Sequence, residues 1–301
     1  MPRLIGYPLN QSPFYRLSSK RKLADLLGFD FSDFSNLIDK SNYHEFKNKK
    51  GRVIQHPLKK GALDSIHKRI AKLLARVELP NYLYSCKGRS YVLNAAAHAA
   101  NVPLIKTDIS KFYPSTSFSS IFSLFRNSFK CSPDVAWLLA QLCCFNGRHL
   151  PTGSYLSGIV AFLTHKSMFD EIFAFSLKHG CTMTCFVDDI VLSGPRATKT
   201  LLQEICEIIR RHSLIANHDK SITFPANKPR IVTGVVISPS GLCVPNKRLR
   251  AIRSDRELIK NTKNSREKNR LIESLQGRLQ AAKQIECFDE QKLIVGEKLQ
   301  S

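Results

Sequence analysis

Thr184-Cys185-Phe186-Val187-Asp188-Asp189-Ile190-Val191-Leu192 is an apolar, β-prone run broken at its centre by two adjacent aspartates. A third aspartate, Asp108, closes another strand-like run, Val102-Pro103-Leu104-Ile105-Lys106-Thr107-Asp108-Ile109. Adjacent carboxylates beside apolar strands are costly to bury unless a cation neutralises them. A hairpin turn that projects the pair into a cleft, with the third carboxylate on a neighbouring strand, meets that demand. Such a set of hard oxygen ligands suits Mg²⁺, which keeps few protein ligands and takes the rest from water and substrate phosphates. The pattern therefore predicts a two-metal phosphoryl-transfer site. An isolated Asp-Asp would read as a solvated turn. The flanking strands and Asp108 decide against that reading.

The charge of the chain points the same way. Its 301 residues carry 46 Lys and Arg against 24 Asp and Glu, a net +22, with 43% hydrophobic residues. The pI is near 9.8 and the mean hydropathy -0.18. A globular chain with this surplus implies a polyanionic partner, most simply nucleic acid bound through its phosphates. An anionic membrane surface is the competing partner, but there is no lipidation motif and no apolar run long enough to span a bilayer. Met1-Pro2-Arg3-Leu4-Ile5-Gly6-Tyr7 lacks the apolar core of a secretory signal. Nine cysteines without a C-x-x-C spacing suggest neither zinc nor a disulfide framework. A cytoplasmic protein with reduced, mostly buried thiols is expected.

Leu63, Ile66, Ile70, Leu73, Leu74 and Val77 recur at helical spacing, so residues 61–78 read as an amphipathic helix ended by Pro80. Helices are also expected at 90–99, 118–125, 135–145, 198–211 and, as one long element, 156–175. Residues 53–57 read as extended, and short strands fall within 215–237. Between Pro245 and Arg270 ten Lys or Arg stand against three Asp or Glu in a helical pattern. Strands separated by helices, with acidic residues at strand ends, give an α+β sheet with a basic helical subdomain behind it.

Taken together, these segments resemble a bacterial reverse transcriptase of the retron or defence-associated kind, from about Lys50 to about Ala282. Phe186-Val187-Asp188-Asp189 resembles the polymerase motif written YADD, with Phe for Tyr and Val for Ala. Asp108-Ile109-Ser110-Lys111-Phe112-Tyr113-Pro114-Ser115 resembles the first carboxylate motif. Leu150-Pro151-Thr152-Gly153-Ser154-Tyr155-Leu156-Ser157 resembles LPQG-x-x-x-S with Thr for Gln, and Asn217-His218-Asp219-Lys220 matches N-x-x-K. Asn94-Ala95-Ala96-Ala97-His98 and Val232-Thr233-Gly234 match the NAxxH and VTG elements associated with retron enzymes. Six motifs in the right order make a strong signal.

The resemblance implies a right-hand polymerase: fingers at 1–100 and 116–153, an antiparallel-sheet palm at 101–115 and 154–240, and a basic helical thumb at 241–301. It implies two Mg²⁺ ions at Asp108, Ile109, Asp188 and Asp189, with Lys220 as a general acid or electrostatic stabiliser. Lys50, Arg52, Arg89, Tyr113, Thr152 and Gly153 are expected at the incoming dNTP. Tyr113 would exclude a 2′-hydroxyl, and Gly153 would let the backbone approach the nucleotide. Asn94, His98, Thr233, Gly234, Arg248, Arg250 and Arg253 are expected at nucleic acid, the last three gripping an RNA–DNA hybrid. A structural role competes for His98, and a plain bend for Thr233 and Gly234.

The function this implies is RNA-directed DNA synthesis on a dedicated noncoding RNA in antiphage defence. Template RNA, hybrid product and dNTPs are the expected partners, with a toxic effector protein and self-association beyond them. The length leaves no room for an RNase H, integrase or large maturase domain. Two other readings stay open. One is a non-retron defence-associated enzyme making long or repetitive DNA as an oligomer. The other is an RNA-binding scaffold without catalysis, against which the intact Asp108, Asp188 and Asp189 argue.

Overall fold

The computed structural model describes residues 6–49 and 51–297, with side chains as far as Phe288. Lys50, expected at the dNTP, lies outside the described residues. The architecture is α+β, as the sequence predicts, and it divides into two compact units.

The first unit comprises residues up to 81 together with 109–174 and 205–217. Its hairpin pairs β1 (Tyr43–Lys47) with β2 (Val53–Pro57), antiparallel from Tyr43↔Pro57 to Lys47↔Val53. The helix Ala62–Leu74 buries Leu63, Ile66, Ile70, Leu73 and Leu74, the stripe read from the sequence. It stops three residues short of Val77, whose backbone instead bridges to Tyr7. The helix expected over 156–175 is two, Ser157–Thr164 and Lys166–Lys178. His165 sits at the break, buried, with Nε2 3.2 Å from the Thr116 hydroxyl. Phe112, Phe162 and Phe169 pack around this junction, with Phe162 and Phe169 stacked at 5.4 Å.

The second unit comprises residues 82–108, 175–204 and those from 218 onward. Its main sheet contains β3 (Leu104–Asp108), β4 (Thr182–Phe186), β5 (Asp189–Ser193) and β6 (Ile222–Phe224), ordered β4-β5-β3-β6 and antiparallel throughout. A smaller sheet joins β7 (Arg230–Val232), β8 (Val235–Ser238) and β9 (Gly241–Cys243). Val92 and Ala95 from the helix Tyr91–Ala96 share a core with Leu104, Val191, Val232, Val235, Ile237 and Ile285. Residues 82–100, expected among the fingers, thus pack with the main sheet because their apolar positions complete its core. Residues 109–115, 154–174 and 205–217, expected in the palm, belong to the first unit.

The basic C-terminal segment forms the helices Asn246–Asn261 and Ser265–Glu297. Arg278 pins one to the other through the buried Asp255 carboxylate at 2.5 Å, with Ser274 donating to the same oxygen at 3.4 Å. Removing Arg278 would leave the buried Asp255 carboxylate without its counter-charge.

Candidate active site

The aspartates meet at one end of the main sheet. Asp108 is the last residue of β3 and lies in register opposite Asp189, the first of β5. Asp188 occupies the two-residue turn between β4 and β5, after the Phe186↔Asp189 pair. Two adjacent carboxylates must leave opposite faces of a continuous strand. Putting the first of them in the turn lets both serve one site.

Crowding has an electrostatic signature. Burial, then the neighbouring Asp108, pushes the Asp188 carboxyl up to about 6. Burial also raises Asp189, against the opposing pull of Lys106. Two ammonium groups offset the negative charge. Lys220 Nζ lies 2.8 Å from Asp108 Oδ2, and Lys106 Nζ lies 3.6 Å from Asp189 Oδ1. The hydrogen bond to Asp108 raises the Lys220 ammonium above its ordinary value, keeping it charged. Lys220 reaches this point from a short 3₁₀ turn, His218–Lys220, and Ser221 beside it bonds Thr107 on β3 at 2.8 Å. Ile109 offers a cation only its carbonyl, since its side chain is buried and has no donor atom. Among the described residues, no group of three or more His, Cys, Asp or Glu is placed to hold a metal ion. Two of the three carboxylates are held by lysines instead.

Asn94 and His98, expected at nucleic acid, lie in the interior. Asn94 is 0% exposed and His98 3%, so neither reaches a bound strand. His98 Nδ1 lies 2.7 Å from Ser193 Oγ and Nε2 2.8 Å from Thr184 Oγ1. The imidazole therefore cross-links β4 and β5, the two arms of the hairpin that carries Asp188 and Asp189. Asn94 Nδ2 donates to Thr233 Oγ1 at 3.4 Å, and that hydroxyl donates to the Tyr91 carbonyl at 2.8 Å. The NAxxH and VTG elements are thus partners of each other. Thr233 and Gly234 form the β7–β8 turn with positive φ at both, 45° and 79°.

The three arginines of the basic helix do not act as one row. Arg248 approaches Gly234 and lines a groove of about 510 Å³ with Tyr91, Phe186, Thr233, Gln280 and Gln284. Its Nη1 is buried without a partner among the described residues. Arg253 lines a different groove, with Leu249, Ile252 and Arg256. Arg250 is exposed and lines neither.

The remaining candidates belong to the first unit, save Arg89. The Thr152 hydroxyl donates to the Val53 carbonyl at 2.8 Å, and Gln55 N–H donates to it at 3.2 Å. Gly153 N–H donates to the Gln55 carbonyl at 3.0 Å. A Cβ on Gly153 would fall 2.8 Å from that carbonyl oxygen. This pair therefore docks the loop on β2. The single hydroxyl hydrogen of Thr152 is committed to this contact, and the glycine admits the strand. Arg52 is exposed beside the hairpin tip, its N–H held by Asn48 Oδ1 at 3.0 Å. Tyr113 stands next to Phe112, and a Cβ on Gly158 would lie 3.8 Å from the Tyr113 hydroxyl. The Arg89 guanidinium donates to the Leu83 carbonyl and lies 5.6 Å over the Tyr84 ring.

The sequence reading passed over Lys106 and Gln55. Strand alternation in Lys106-Thr107-Asp108 places Lys106 on the face of Asp108, which was a usable signal. Nothing in the sequence marks Gln55.

An antiparallel sheet with three carboxylates gathered at one end is the arrangement that the sequence reading expects of a right-hand polymerase palm. Comparison with known proteins narrows the class. The chain is 28% identical over 235 residues to the Retron Se72 reverse transcriptase of Salmonella heidelberg, covering 73% of this chain and 58% of that protein. It is 25% identical over 170 residues to the Retron Ec86 reverse transcriptase of Escherichia coli, covering 56% and 52%. The chain is thus similar to retron reverse transcriptases, and the match spans little more than half the length of these curated relatives. No family model matches it. Weaker likenesses join it to solved structures. An apo telomerase from Candida tropicalis has a TM-score of 0.42 at 14% identity, covering 65% of this chain and 53% of that one. A foamy viral protease–reverse transcriptase in complex with double-stranded DNA has 0.43 at 13%, covering 80% and 35%.

Proposed function

We propose that the protein is an RNA-directed DNA polymerase that copies a dedicated noncoding RNA in a retron serving antiphage defence. The observation that carries this reading is the convergence of Asp108, Asp188 and Asp189 at one turn of the sheet. The likeness to retron enzymes and the +22 charge support a nucleic-acid template.

The donor set fits a hard divalent cation. All three side chains are carboxylates, burial and then the charge of Asp108 lift Asp188, and Lys220 and Lys106 already hold cationic groups against two of them. Asp108, Asp188 and Asp189, with the Ile109 carbonyl, would hold Mg²⁺. What bound Mg²⁺ supplies is acidification of the primer hydroxyl and neutralisation of the triphosphate and departing pyrophosphate. Lys220 keeps its proton beside Asp108 and is a donor to the leaving pyrophosphate. Lys106 steadies Asp189. Arg52 contributes positive charge to the triphosphate or template backbone.

Primer extension on an RNA template with Mg²⁺ and dNTPs tests the reading, and no extension by the wild-type protein would overturn it. The same assay reports sugar selection. Tyr113→Ala removes the ring expected under the sugar, so ribonucleotide incorporation should rise relative to deoxynucleotide in competing single-turnover rates. An unchanged ratio would show that Tyr113 is not the gate.

The basic helix is tested by salt. Arg248→Gln, Arg250→Gln and Arg253→Gln are made singly, because the structure separates them. Each variant that loses a phosphate contact should reduce the log–log salt slope of hybrid binding by about 0.7–0.9. Arg248→Gln should also lower processivity more than single-nucleotide addition, since its groove reaches Phe186 beside the catalytic turn. An unaltered slope for all three would place the duplex grip elsewhere.

A further inference from the structure

Val187 is the first residue of the catalytic turn, and its φ is 61°. A two-residue hairpin turn asks for positive φ there, which Gly, Asn and Asp adopt readily. A β-branched side chain in that region is strained, and such a conformation persists only where the surroundings fix it. The Asp188 carboxylate hangs on this turn. Something besides the hairpin must hold it.

Residues 82–85 provide the support. They run beside β4, joined to it by an isolated parallel bridge between Leu83 and Cys185. Cys185 N–H donates to the Tyr82 carbonyl at 2.7 Å, and Tyr84 N–H donates to the Cys185 carbonyl at 2.8 Å. One residue further, the backbone ladder gives way to a side chain. Val187 N–H donates to Ser85 Oγ at 3.0 Å. The segment is itself braced, since Arg89 donates to the Leu83 carbonyl and lies over Tyr84. Leu83 and Tyr82 are buried, so the segment is anchored in the same unit as the aspartates.

We infer that Ser85 is a positioning residue: its hydroxyl holds the Val187 amide and so locks the strained turn that aims Asp188. It touches no reacting atom and acts through Val187. Arg89 serves the same function one step back, by fixing the segment that presents Ser85. The inference deepens the polymerase reading and rests on it for its kinetic consequence, but the hydrogen bond can be tested without that reading.

The test uses the full chain. Ser85→Ala removes the acceptor, Ser85→Thr keeps it, and Val187→Gly removes the steric cost of positive φ. Amide hydrogen exchange at residue 187 should be about tenfold faster in Ser85→Ala than in wild type, the worth of one exposed hydrogen bond. The single-turnover rate of nucleotide addition should fall by about the same factor, with KM for dNTP within about twofold, because positioning of the carboxylate is lost and not substrate binding. Ser85→Thr should retain the wild-type rate. Adding Val187→Gly to Ser85→Ala should recover it.

Unchanged exchange at Val187 in Ser85→Ala would overturn the clamp. A rate loss that neither Ser85→Thr avoids nor Val187→Gly recovers would overturn the positioning role. If the wild-type chain extends no primer, the polymerase reading fails, while exchange at residue 187 still decides whether the clamp exists.

Discussion

Asp188→Asn should abolish DNA synthesis and leave the protein folded. The expected loss is on the order of a thousandfold or more, the equivalent of several kcal/mol of charge stabilisation withdrawn from phosphoryl transfer. Asparagine keeps the size of the side chain and its place in the turn, so β4 and β5 remain paired. Folding should not suffer, because Asp188 is held ionised only against burial and the charge of Asp108. A neutral amide relieves both, and the thermal midpoint at neutral pH should equal or exceed that of the wild type. RNA affinity should stay within about twofold, since phosphate contacts set it and no cationic group is lost. Extension, a thermal melt and filter binding on the same preparation separate these effects. Synthesis at near wild-type rate would remove Asp188 from the site.

The parts of this arrangement that were legible in the sequence share one property: they violate a local rule. Asp188 and Asp189 interrupt an apolar strand, and Asp108 ends another, so each advertises a cost that a site must justify. The amphipathic stripe from Leu63 to Leu74 was readable because periodicity alone decides it. Facing was not readable. Asn94, His98 and Thr233 are polar, and nothing in one sequence says whether such a residue meets solvent, a ligand or the back of the next strand. Three of the residues expected at nucleic acid proved to bond to one another or to the catalytic hairpin.

The charge total misled in the same way at Arg230. It counts toward the +22, yet it is 1% exposed and donates to the carbonyls of Val102 at 2.7 Å and Pro225 at 3.3 Å. Thr152 shows a different limit. Its departure from Gln could not be interpreted until β2 was found against it, with Gln55 Oε1 3.2 Å from the Thr152 amide. Contacts between residues 97 apart in sequence leave no local mark.

His98→Ala should be the most damaging of the substitutions outside the carboxylates, and through stability. It deletes the link between Thr184 and Ser193, leaves two buried hydroxyls short of a partner and opens a cavity behind the catalytic hairpin. Together these should cost about 2–4 kcal/mol, a large share of the stability of a domain. Synthesis should fall with the loosened hairpin, while RNA affinity measured below the melting transition should hold, since His98 reaches no ligand. A loss of affinity without a loss of stability would restore the nucleic-acid role.

The pH dependence is a second signature. Burial, aided by the charge of Arg230, holds the His98 imidazole down to about 3, against 6.5 in the unfolded chain. Above 6.5 both states are neutral and the contribution is complete. As the pH falls from 6.5 toward 3 the unfolded state takes up a proton that the folded state refuses, and stability is lost by about 1.4 kcal/mol per pH unit. Burial lowers His67 and His165 to about 4 in the same direction, so the wild type should lose stability steeply from pH 6.5 downward. Between pH 6 and 4, His98→Ala should show a slope shallower by one proton. Parallel curves for the two proteins would mean that His98 is already charged in the native state, and that its place between Ser193 and Thr184 has been misread.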